Sequence, residues 1–450
     1  MIKKFYFLFF LILLCSSRTS GINRINGKSP NIIILFADDL GYGDLGCYGH
    51  PTIKTPNLDK MAKEGIRFTS FYTAASVCTP ARAALLTGRY PVRSGMTSVL
   101  NAKSKNGLPL EEITIAELLK NEGYKTGIIG KWHLGHNEKY LPPNQGFDYY
   151  FGIPYSNDNN TISAPGNKYL QAGPLPLIRN TEVIETGVSM NSITKRYTEE
   201  AKDFILRAGN EQFFLYLAYT MPHVPINASS DFKGKSKAGL YGDVIEELDW
   251  SVGEILQLLT KKGISKNTLV IFSSDNGPIN NEKSFEAIGY DTAMIKPWHG
   301  GSTGPLRGGK YTVYEGGFRV PGIIKWDDHI NGNQVISDMV TTMDIFTTIA
   351  KLAGASVSED RRYDGNDLSG ILLEGKPSPT SQFLFYKRDL LSAVRIGDWK
   401  YIFSSHNIPG IKPVRPIDEL YNLKNDLEER FNVASRYKEK VKELKKFIDR

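Results

Sequence analysis

The chain has 450 residues, of which 41% are hydrophobic and 23% charged, and its formal net charge is +7. These proportions are those of an ordinary globular protein, large enough for one big domain and a smaller one, and they exclude a small disulfide-stapled scaffold. The positive charge is spread along the sequence without a concentrated basic stripe, so we expect no nucleic-acid partner.

The N-terminus has the layout of a secretory signal. Lys3 and Lys4 precede an apolar run at residues 5–14. The run is short for a bilayer span, so residues 1–20 are predicted to be a signal peptide, with no transmembrane helix after its removal. The protein is therefore expected to be exported, either to the periplasm or as a secreted protein. Cys15 is a weak candidate for lipid attachment, because the residue before it is a bulky leucine.

Apolar runs alternate with helical patterns along most of the chain. Four runs are typical of strands buried on both faces, at residues 31–37, 125–130, 212–219 and 268–273. Helices are predicted between and after these strands, at residues 57–64, 114–121, 194–207, 241–261 and 341–353. This alternation predicts an α/β fold with a largely parallel sheet.

The pattern changes near the C-terminus. Short runs at residues 382–386, 392–396 and 400–403 predict a small antiparallel sheet, and a lysine-rich run at 437–446 predicts a closing helix with a solvated face. We therefore expect a large domain at residues 27–375 and a small α+β domain at 376–450.

The segment 154–188 is polar, rich in glycine and proline, and long for a loop. Loops of this length often carry function, so this one is expected to line a substrate pocket.

Charged or imidazole side chains follow each of the four predicted strands. In chain order they are Asp38 and Asp39, then Lys131 and His133, then His223, and finally Asp275 and Asn276. Ligand sites in open α/β sheets gather beyond the carboxyl ends of the strands, so these groups are expected at one edge. The carboxylates and the amide offer hard oxygen ligands, which favour Ca²⁺ or Mg²⁺ over zinc. Any one pair alone could equally be a helix cap or a turn.

Cys78 is the most informative single residue. Thr79 and Pro80 after it are typical of a helix N-terminus, with Thr79 as the N-cap, where free N–H groups favour an anion. Arg82 adds a positive charge about one turn later. On spacing alone, a buried structural thiol is the commoner role of such a cysteine. Lys310 lies in a glycine-rich stretch that allows close backbone approach, although many such stretches are only connectors.

In order along the chain, these segments resemble the formylglycine-dependent (type I) sulfatases, and the arylsulfatase A-like branch in particular. The resemblance lies in Cys78-Thr-Pro-Ala-Arg82 with Leu86-Thr-Gly-Arg89, Gly130-Lys-Trp-His-Leu-Gly135, Gly152-Ile-Pro-Tyr-Ser156, Asp275-Asn-Gly-Pro278, Pro305-Leu-Arg-Gly-Gly-Lys310, Tyr314-Glu-Gly-Gly317 and Glu419-Leu-Tyr-Asn-Leu423. It implies a large mixed, mostly parallel sheet sandwiched by helices, as in alkaline phosphatase and the sulfatases, followed by a small C-terminal antiparallel sheet and a helix. It also implies that the protein hydrolyses sulfate monoesters. The expected substrate is a sulfated carbohydrate or an aryl sulfate, with a sugar of a sulfated polysaccharide or oligosaccharide preferred.

The resemblance also assigns roles to the residues of the site. Formylglycine (3-oxoalanine) would be formed at position 78 by a formylglycine-generating maturation enzyme. Ca²⁺ would be held by oxygen-bearing side chains and by the modified residue itself: Asp38, Asp39, Asp275, Asn276 and Cys78. Arg82 and Lys131 would steady the hydrated aldehyde, and His133 would take a proton from it. His223 and Lys310 would hold the sulfate and the leaving-group oxygen.

Two alternatives stay open on the sequence. A phosphodiesterase or phosphonate hydrolase could use the same nucleophile, because tetrahedral anions are alike. A glycan-binding protein in which Cys78 is never converted would keep the fold and lose turnover. The chemical state of Cys78, together with a comparison of sulfate and phosphate substrates, separates these possibilities.

Overall fold

The structure is a computed structural model that describes residues 29–159, 173–280, 285, 295–405 and 415–447. The predicted signal peptide at residues 1–20 and the candidate lipid site Cys15 lie outside these ranges. Within them, no helix combines the length and apolar character needed to cross a membrane.

The described residues contain sixteen strands and ten α-helices. The strands are β1 (Asn31–Ala37), β2 (Ile66–Phe68), β3 (Phe71–Tyr72), β4 (Lys125–Gly130), β5 (Tyr149–Gly152), β6 (Pro176–Arg179), β7 (Glu182–Thr186), β8 (Phe213–Ala218), β9 (Thr268–Ser274), β10 (Gly322–Lys325), β11 (Gln334–Ile336), β12 (Val340–Thr341), β13 (Gln382–Lys387), β14 (Leu390–Ile396), β15 (Trp399–Ser405) and β16 (Arg415–Asn422). The helices are α1 (Pro56–Glu64), α2 (Cys78–Thr87), α3 (Pro91–Ser94), α4 (Ile115–Asn121), α5 (Ile193–Arg207), α6 (Gly239–Lys261), α7 (Glu315–Phe318), α8 (Thr342–Ala353), α9 (Ser369–Glu374) and α10 (Lys438–Lys445). Short 3₁₀ turns occur at Gly46–Tyr48, Glu138–Tyr140, Pro142–Gln145, Asn157–Asn159, Met190–Ser192, Ser265–Asn267 and Pro297–His299.

The main sheet has ten strands in the order β11-β2-β10-β9-β1-β8-β4-β5-β6-β7. Its five central strands, from β9 to β5, are all parallel. Antiparallel pairing occurs only towards the edges, where β10 joins β9 and β2, and where β6 joins β5 and β7. The prediction of a mixed, mostly parallel sheet is therefore confirmed.

Helices cover both faces of this sheet. The odd-numbered residues of β1, from Ile33 to Ala37, share a buried cluster with α1, α5 and α6. Its even-numbered residues, from Ile32 to Phe36, share another with α2, α4 and α8. Successive side chains of a strand point to opposite faces, so a strand between two helical layers must be apolar throughout. This explains the uninterrupted apolar run of β1, all of which is buried.

The C-terminal sheet is an antiparallel meander of β13, β14, β15 and β16, as expected from the sequence except that β16 was not predicted. Val441 and Leu444 of α10 join one of its buried clusters. Phe383 and Phe385 of β13 belong to another cluster, which includes Phe318 of α7. The meander therefore packs between its own helix and the segment that follows Lys310.

Segment 154–188 is only partly the loop that was expected. Residues 160–172 lie outside the described ranges, but β6 and β7 form a hairpin that extends the main sheet next to β5. The sequence analysis did not predict this hairpin. The start of the segment does line a cleft, through Ser156, Asp158 and Asn159, as described below.

Candidate active site

The carboxyl ends of four parallel strands meet at one edge of the main sheet. Ala37 of β1 pairs with Ser274 of β9, and Gly130 of β4 pairs with Ala218 of β8. The chain segments that leave these strands therefore begin at the same level. The expected polar residues are all buried there: Asp38, Asp39, Lys131, His133, His223, Asp275 and Asn276.

The turns at this edge use backbone conformations that few residues adopt. Asp39, His133 and Tyr311 have φ values of 65°, 60° and 72°. Gly130 has a φ of 117°, and a Cβ atom there would lie 1.8 Å from the carbonyl oxygen of Ala218. Only glycine fits such a close backbone approach. Because His133 has a positive φ, the chain does not continue as an extended strand after β4.

Cys78 is the first residue of α2, so the expectation that Thr79 caps this helix is wrong. Val77 occupies the N-cap position without a side-chain cap, and Thr79 Oγ1 instead donates a hydrogen bond to the carbonyl oxygen of His133 at 2.9 Å. Cys78 is 2% exposed. Burial raises the pKa of its thiol to about 11, although the charges of Lys131 and Lys310 oppose the rise. The unmodified residue is therefore a neutral thiol near neutral pH.

The predicted metal ligands surround this cysteine. One ligand atom each from Asp38, Cys78 and Asp275 lie within 4.8 Å of one another. The backbone N–H of Asp39 donates to Asp275 Oδ1 at 3.0 Å, and Asn276 Nδ2 donates to Asp39 Oδ1 at 2.6 Å. The structure thus brings together all five residues that the sequence proposed as ligands.

Three buried cations face the three carboxylates. Arg82 binds Asp275 Oδ2 through Nε at 3.0 Å and through a terminal nitrogen at 2.8 Å. Lys131 Nζ lies 2.5 Å from Asp38 Oδ2. Burial alone would raise the pKa of Asp38, but the positive charges of Lys131 and Arg82 hold it well below its ordinary value.

Lys310 completes the set of cations, because its Nζ lies 2.8 Å from Asp39 Oδ2. Burial lowers the pKa of Lys310, but Asp39 and the other groups around it together raise the pKa well above its ordinary value. These residues form the floor of the site. Their charges are close to balanced, because three cations face three carboxylates: Arg82, Lys131 and Lys310 against Asp38, Asp39 and Asp275.

Two histidines complete the floor of the site. His133 Nε2 lies 2.7 Å from the carbonyl oxygen of Leu100, and His223 Nδ1 lies 2.6 Å from that of Val224. A carbonyl only accepts, so these two nitrogens carry the ring protons. Burial lowers the pKa of both rings, with Lys131 adding to the effect at His133 and Lys310 at His223. Both imidazoles are therefore neutral, with His133 Nδ1 and His223 Nε2 as acceptors.

Two oxygen atoms of the predicted ligand set have no hydrogen-bond donor among the described residues. They are Asp38 Oδ1 and Asn276 Oδ1, and both are buried. Burial, with a further contribution from Asp38, raises the pKa of Asp275 to about 7. An unsatisfied buried acceptor costs about 1–3 kcal/mol, and a cation would satisfy both oxygens. The donor set is carboxylate and amide oxygen, which fits Ca²⁺.

The site opens into a cleft of about 810 Å³. Its floor carries four of the predicted residues: Cys78, His133, His223 and Lys310. The sequence analysis assigned no role to Ser156, whose Oγ accepts from Lys131 Nζ at 3.3 Å, although Ser156 belongs to one of the resemblance motifs. It also missed the turn between β13 and β14, which lines the cleft from the C-terminal sheet. No local pattern marks that turn as part of a site.

Comparisons with known proteins agree with this geometry. Residues 30–355 match the family model described as Sulfatase. Human arylsulfatase A is 40% identical over 440 residues, covering 90% of this chain and 83% of that protein. Rat N-acetylgalactosamine-6-sulfatase is 42% identical over 394 residues, covering 83% and 71% of the two chains. The PsFucS1 sulfatase structure from Pseudoalteromonas sp. aligns with a TM-score of 0.82 at 30% identity, covering 94% of this chain and 90% of that one.

Proposed function

The chain belongs to the sulfatase family and is a sulfuric ester hydrolase, and on that premise we propose that it desulfates a sugar of a sulfated polysaccharide or oligosaccharide. We propose further that it uses a formylglycine derived from Cys78 and a bound Ca²⁺. The observation that carries this proposal is the position of Cys78. Its side chain lies on the floor of the cleft, with its sulfur within 4.8 Å of carboxylate oxygens of Asp38 and Asp275.

The state of the thiol supports conversion of Cys78. A thiolate, and not a thiol, is the nucleophile, and burial raises the pKa of Cys78 to about 11. The hydrated aldehyde of formylglycine would supply one hydroxyl that can attack sulfur and a second whose ionisation releases sulfate. Because Cys78 is 2% exposed, the maturation enzyme must reach it before the chain has folded.

Asp38 Oδ1 and Asn276 Oδ1 accept no hydrogen bond from the described residues, although Arg82 lies 3.5 Å from the first, and they support a Ca²⁺ site. Asp38, Asp39, Asp275 and Asn276 would hold the ion together with the modified residue 78. The ion would supply positive charge next to the sulfate and lower the pKa of a bound hydroxyl.

The remaining residues of the floor would manage charge and protons. We assign to Arg82 and Lys131 the task of fixing the hydroxyls of residue 78, because α2 and the turn after β4 hold both side chains beside it. His133 would accept a proton at Nδ1, which is buried and has no partner among the described residues. The hydrogen bond from Nε2 to the carbonyl oxygen of Leu100 keeps Nδ1 available as the acceptor.

His223 and Lys310 are placed to act on the other side of the sulfate. Both approach Asp39 Oδ2, at 3.6 Å and 2.8 Å, and both line the cleft. They would bind the sulfate oxygens and the leaving-group oxygen, which for His223 requires a proton on Nε2, and Lys310 or the protonated His223 would protonate the departing alcohol.

The walls of the cleft support a sugar as the alcohol. Polar side chains from two loops line it: Ser98, Asn101, Ser156, Asp158 and Asn159. Hydroxyl and amide groups of this kind suit the hydroxyls of a sugar ring. One of the relatives also carries a sulfated sugar in its name. An aryl sulfate is the alternative substrate, and a panel of sulfated mono- and oligosaccharides beside an aryl sulfate separates the two.

The chemical state and role of Cys78 provide the test. We expect mass spectrometry of its peptide from the natural host to show formylglycine, and Cys78→Ala to abolish sulfate release without unfolding the protein. Cys47→Ala is the matched control, because Cys47 is half-buried and does not line the cleft. A free thiol at position 78 would reject the mechanism and favour the silent glycan-binding alternative, whereas turnover by Cys78→Ala would reject the role of Cys78 as the nucleophile.

Comparing aryl sulfate with aryl phosphate tests the phosphodiesterase or phosphonate hydrolase alternative. We expect a preference for the sulfate. A phosphate preference would overturn the substrate assignment while leaving the nucleophile in place.

Two further expectations remain proposals. Export is supported by the N-terminal sequence, and the mass of the mature N-terminus from the natural host would show cleavage near residue 20 or lipid on Cys15. The division into residues 27–375 and 376–450 is supported by the separate C-terminal sheet. Limited proteolysis between the two would test it.

A further inference from the structure

A turn from the C-terminal sheet forms part of the cleft wall. Lys387 at the end of β13 pairs with Leu390 at the start of β14, which leaves Arg388 and Asp389 as the turn. All four of these residues, together with Tyr386, line the same cleft as Cys78. A segment more than 300 residues from the nucleophile in sequence therefore faces the substrate.

Aromatic packing fixes the position of this turn. The ring of Tyr386 lies 5.4 Å from the ring of Tyr90, and the backbone N–H of Leu384 donates to Tyr90 Oη at 2.9 Å. Phe383 and Phe385, on the same strand, are completely buried. A hairpin anchored in this way presents its tip at a defined place, which a specificity element requires.

The tip concentrates positive charge. Lys387 is half-buried and Arg388 is exposed, so two cations stand side by side at the wall of the cleft. Burial, with a further contribution from Arg388, lowers the pKa of Lys387 to about 8. Two acids line the same cleft: Asp389, which is exposed, and Asp158, whose Oδ1 accepts from Asn159 Nδ2 at 3.0 Å. An anion bound between the two cations would relieve their repulsion.

These cations are distinct from those of the floor. Arg82, Lys131 and Lys310 each hold a carboxylate beneath the position of the scissile sulfate. Lys387 and Arg388 belong to another sheet and are part of the wall. We propose that Lys387 and Arg388 bind a second anionic group of the substrate, a sulfate or a carboxylate, while the sulfate to be removed lies over residue 78. This inference rests on the proposed function and narrows its substrates to polyanionic sugars.

Binding to an inactive protein tests the proposal independently of turnover. In the Cys78→Ala background, titration calorimetry would compare N-acetylgalactosamine monosulfate, its disulfate, and the disaccharide that joins a uronic acid to the monosulfate. We expect the disulfate, the uronic acid disaccharide or both to bind about tenfold or more tightly than the monosulfate, because charge-assisted contacts are the strong ones. Which of the two binds more tightly identifies the second group as sulfate or carboxylate.

Substitutions in the turn supply the second arm. The double substitution Lys387→Gln with Arg388→Gln should remove most of the tenfold advantage in binding affinity over the monosulfate. It should weaken binding of the monosulfate itself much less. Lys424→Gln is the matched control, because it removes charge from an exposed position just after β16, away from the cleft. Equal binding of all three sugars, or an equal loss for all three in the double variant, would overturn the proposal. Sulfate release by the mature enzyme is measured separately, so failure of the proposed function remains distinguishable from failure of this inference.

Discussion

Replacing Lys400 by Met perturbs a buried ionic cluster that joins the C-terminal sheet to α7. Lys400 Nζ lies 2.9 Å from Glu315 Oε1 and 2.8 Å from Glu429 Oε1, and none of the three side chains has exposed surface. The backbone N–H of Glu315 also donates to Glu429 Oε2 at 2.8 Å. Met nearly conserves volume, so the substitution removes charge with little loss of packing.

The expected cost follows from the charges that remain. Arg319 lies 3.2 Å from Glu315 Oε2 and continues to neutralise that carboxylate. Glu429 keeps no other cation partner among the described residues. Breaking a buried pair by removing one partner costs about 3–5 kcal/mol, because an uncompensated charge stays buried. We therefore expect Lys400→Met to lower the free energy of unfolding by about 3–5 kcal/mol.

The pH dependence of this loss is also defined. Burial raises the pKa of Glu429 to about 7, above its ordinary value of 4.5. Between these values the folded protein holds a proton that the unfolded chain has lost, so stability falls as pH rises. Lys400 lowers this pKa, so its removal raises the pKa further and the fall in stability continues to higher pH. The loss caused by Lys400→Met should therefore be larger at about pH 8 than at about pH 5.

Urea unfolding followed by tryptophan fluorescence and circular dichroism measures these differences. Lys400→Met with Glu429→Gln removes the stranded charge and should recover part of the loss. Lys424→Met is the control, because this exposed lysine should change stability by no more than about 0.5 kcal/mol. A loss below about 1 kcal/mol for Lys400→Met, or no rescue by the second substitution, would refute the reasoning.

Three further predictions concern the site and its supports. Treatment with EDTA should lower both the unfolding temperature and the rate of sulfate release. Ca²⁺ at about 100 times its Kd should then restore about 2.7 kcal/mol of the free energy of unfolding. An unchanged unfolding temperature would contradict the metal site. Gly130→Ala should cost at least about 3 kcal/mol in urea unfolding, because its Cβ would lie 1.8 Å from the carbonyl oxygen of Ala218. Gly209→Ala, at a φ of 60° in open space, should cost only about 1 kcal/mol. Asp44→Asn should lower the free energy of unfolding by about 1–3 kcal/mol. The Asp44 carboxylate accepts hydrogen bonds from the N–H of Ser302 at 2.7 Å, from the N–H of Gly41 and from the hydroxyl of Tyr241, so the NH₂ group of an asparagine would face a donor.

The sequence was sufficient for the main sheet and the floor of the site because both depend on local patterns. Strands such as β1 and β4 are buried on both faces, so their residues are apolar whatever the neighbouring strands are. The polar residues directly after them must then lie at the carboxyl edge. Hence Asp38 and Lys131 could be placed in one site, although 93 positions separate them.

The cleft walls could not be predicted in this way. The turn at Lys387 and Arg388 resembles any exposed hairpin tip, and the packing of β13 on Tyr90 and on the segment around Phe318 brings it to the cleft. The hairpin of β6 and β7 was missed for a related reason, since Val183 and Ile184 are exposed and give no buried alternation. Thr79 was misassigned because a hydroxyl near a helix start can either cap the helix or bind a group elsewhere in the fold. The hydroxyl of Thr79 donates to the carbonyl oxygen of His133, which is remote in sequence.

The charge balance of the floor would couple binding of the proposed metal to binding of the substrate. Arg82, Lys131 and Lys310 are opposed by Asp38, Asp39 and Asp275, all of them buried. A sulfate ester brought to this floor without a metal would add an uncompensated negative charge in a poorly solvated place, which is costly. A bound Ca²⁺ would instead make the net charge of the floor positive, which attracts the sulfate. Ca²⁺ and sulfate should therefore each favour binding of the other. The Kd of Cys78→Ala for Ca²⁺ should therefore fall when inorganic sulfate is present, and equal values with and without sulfate would contradict this account.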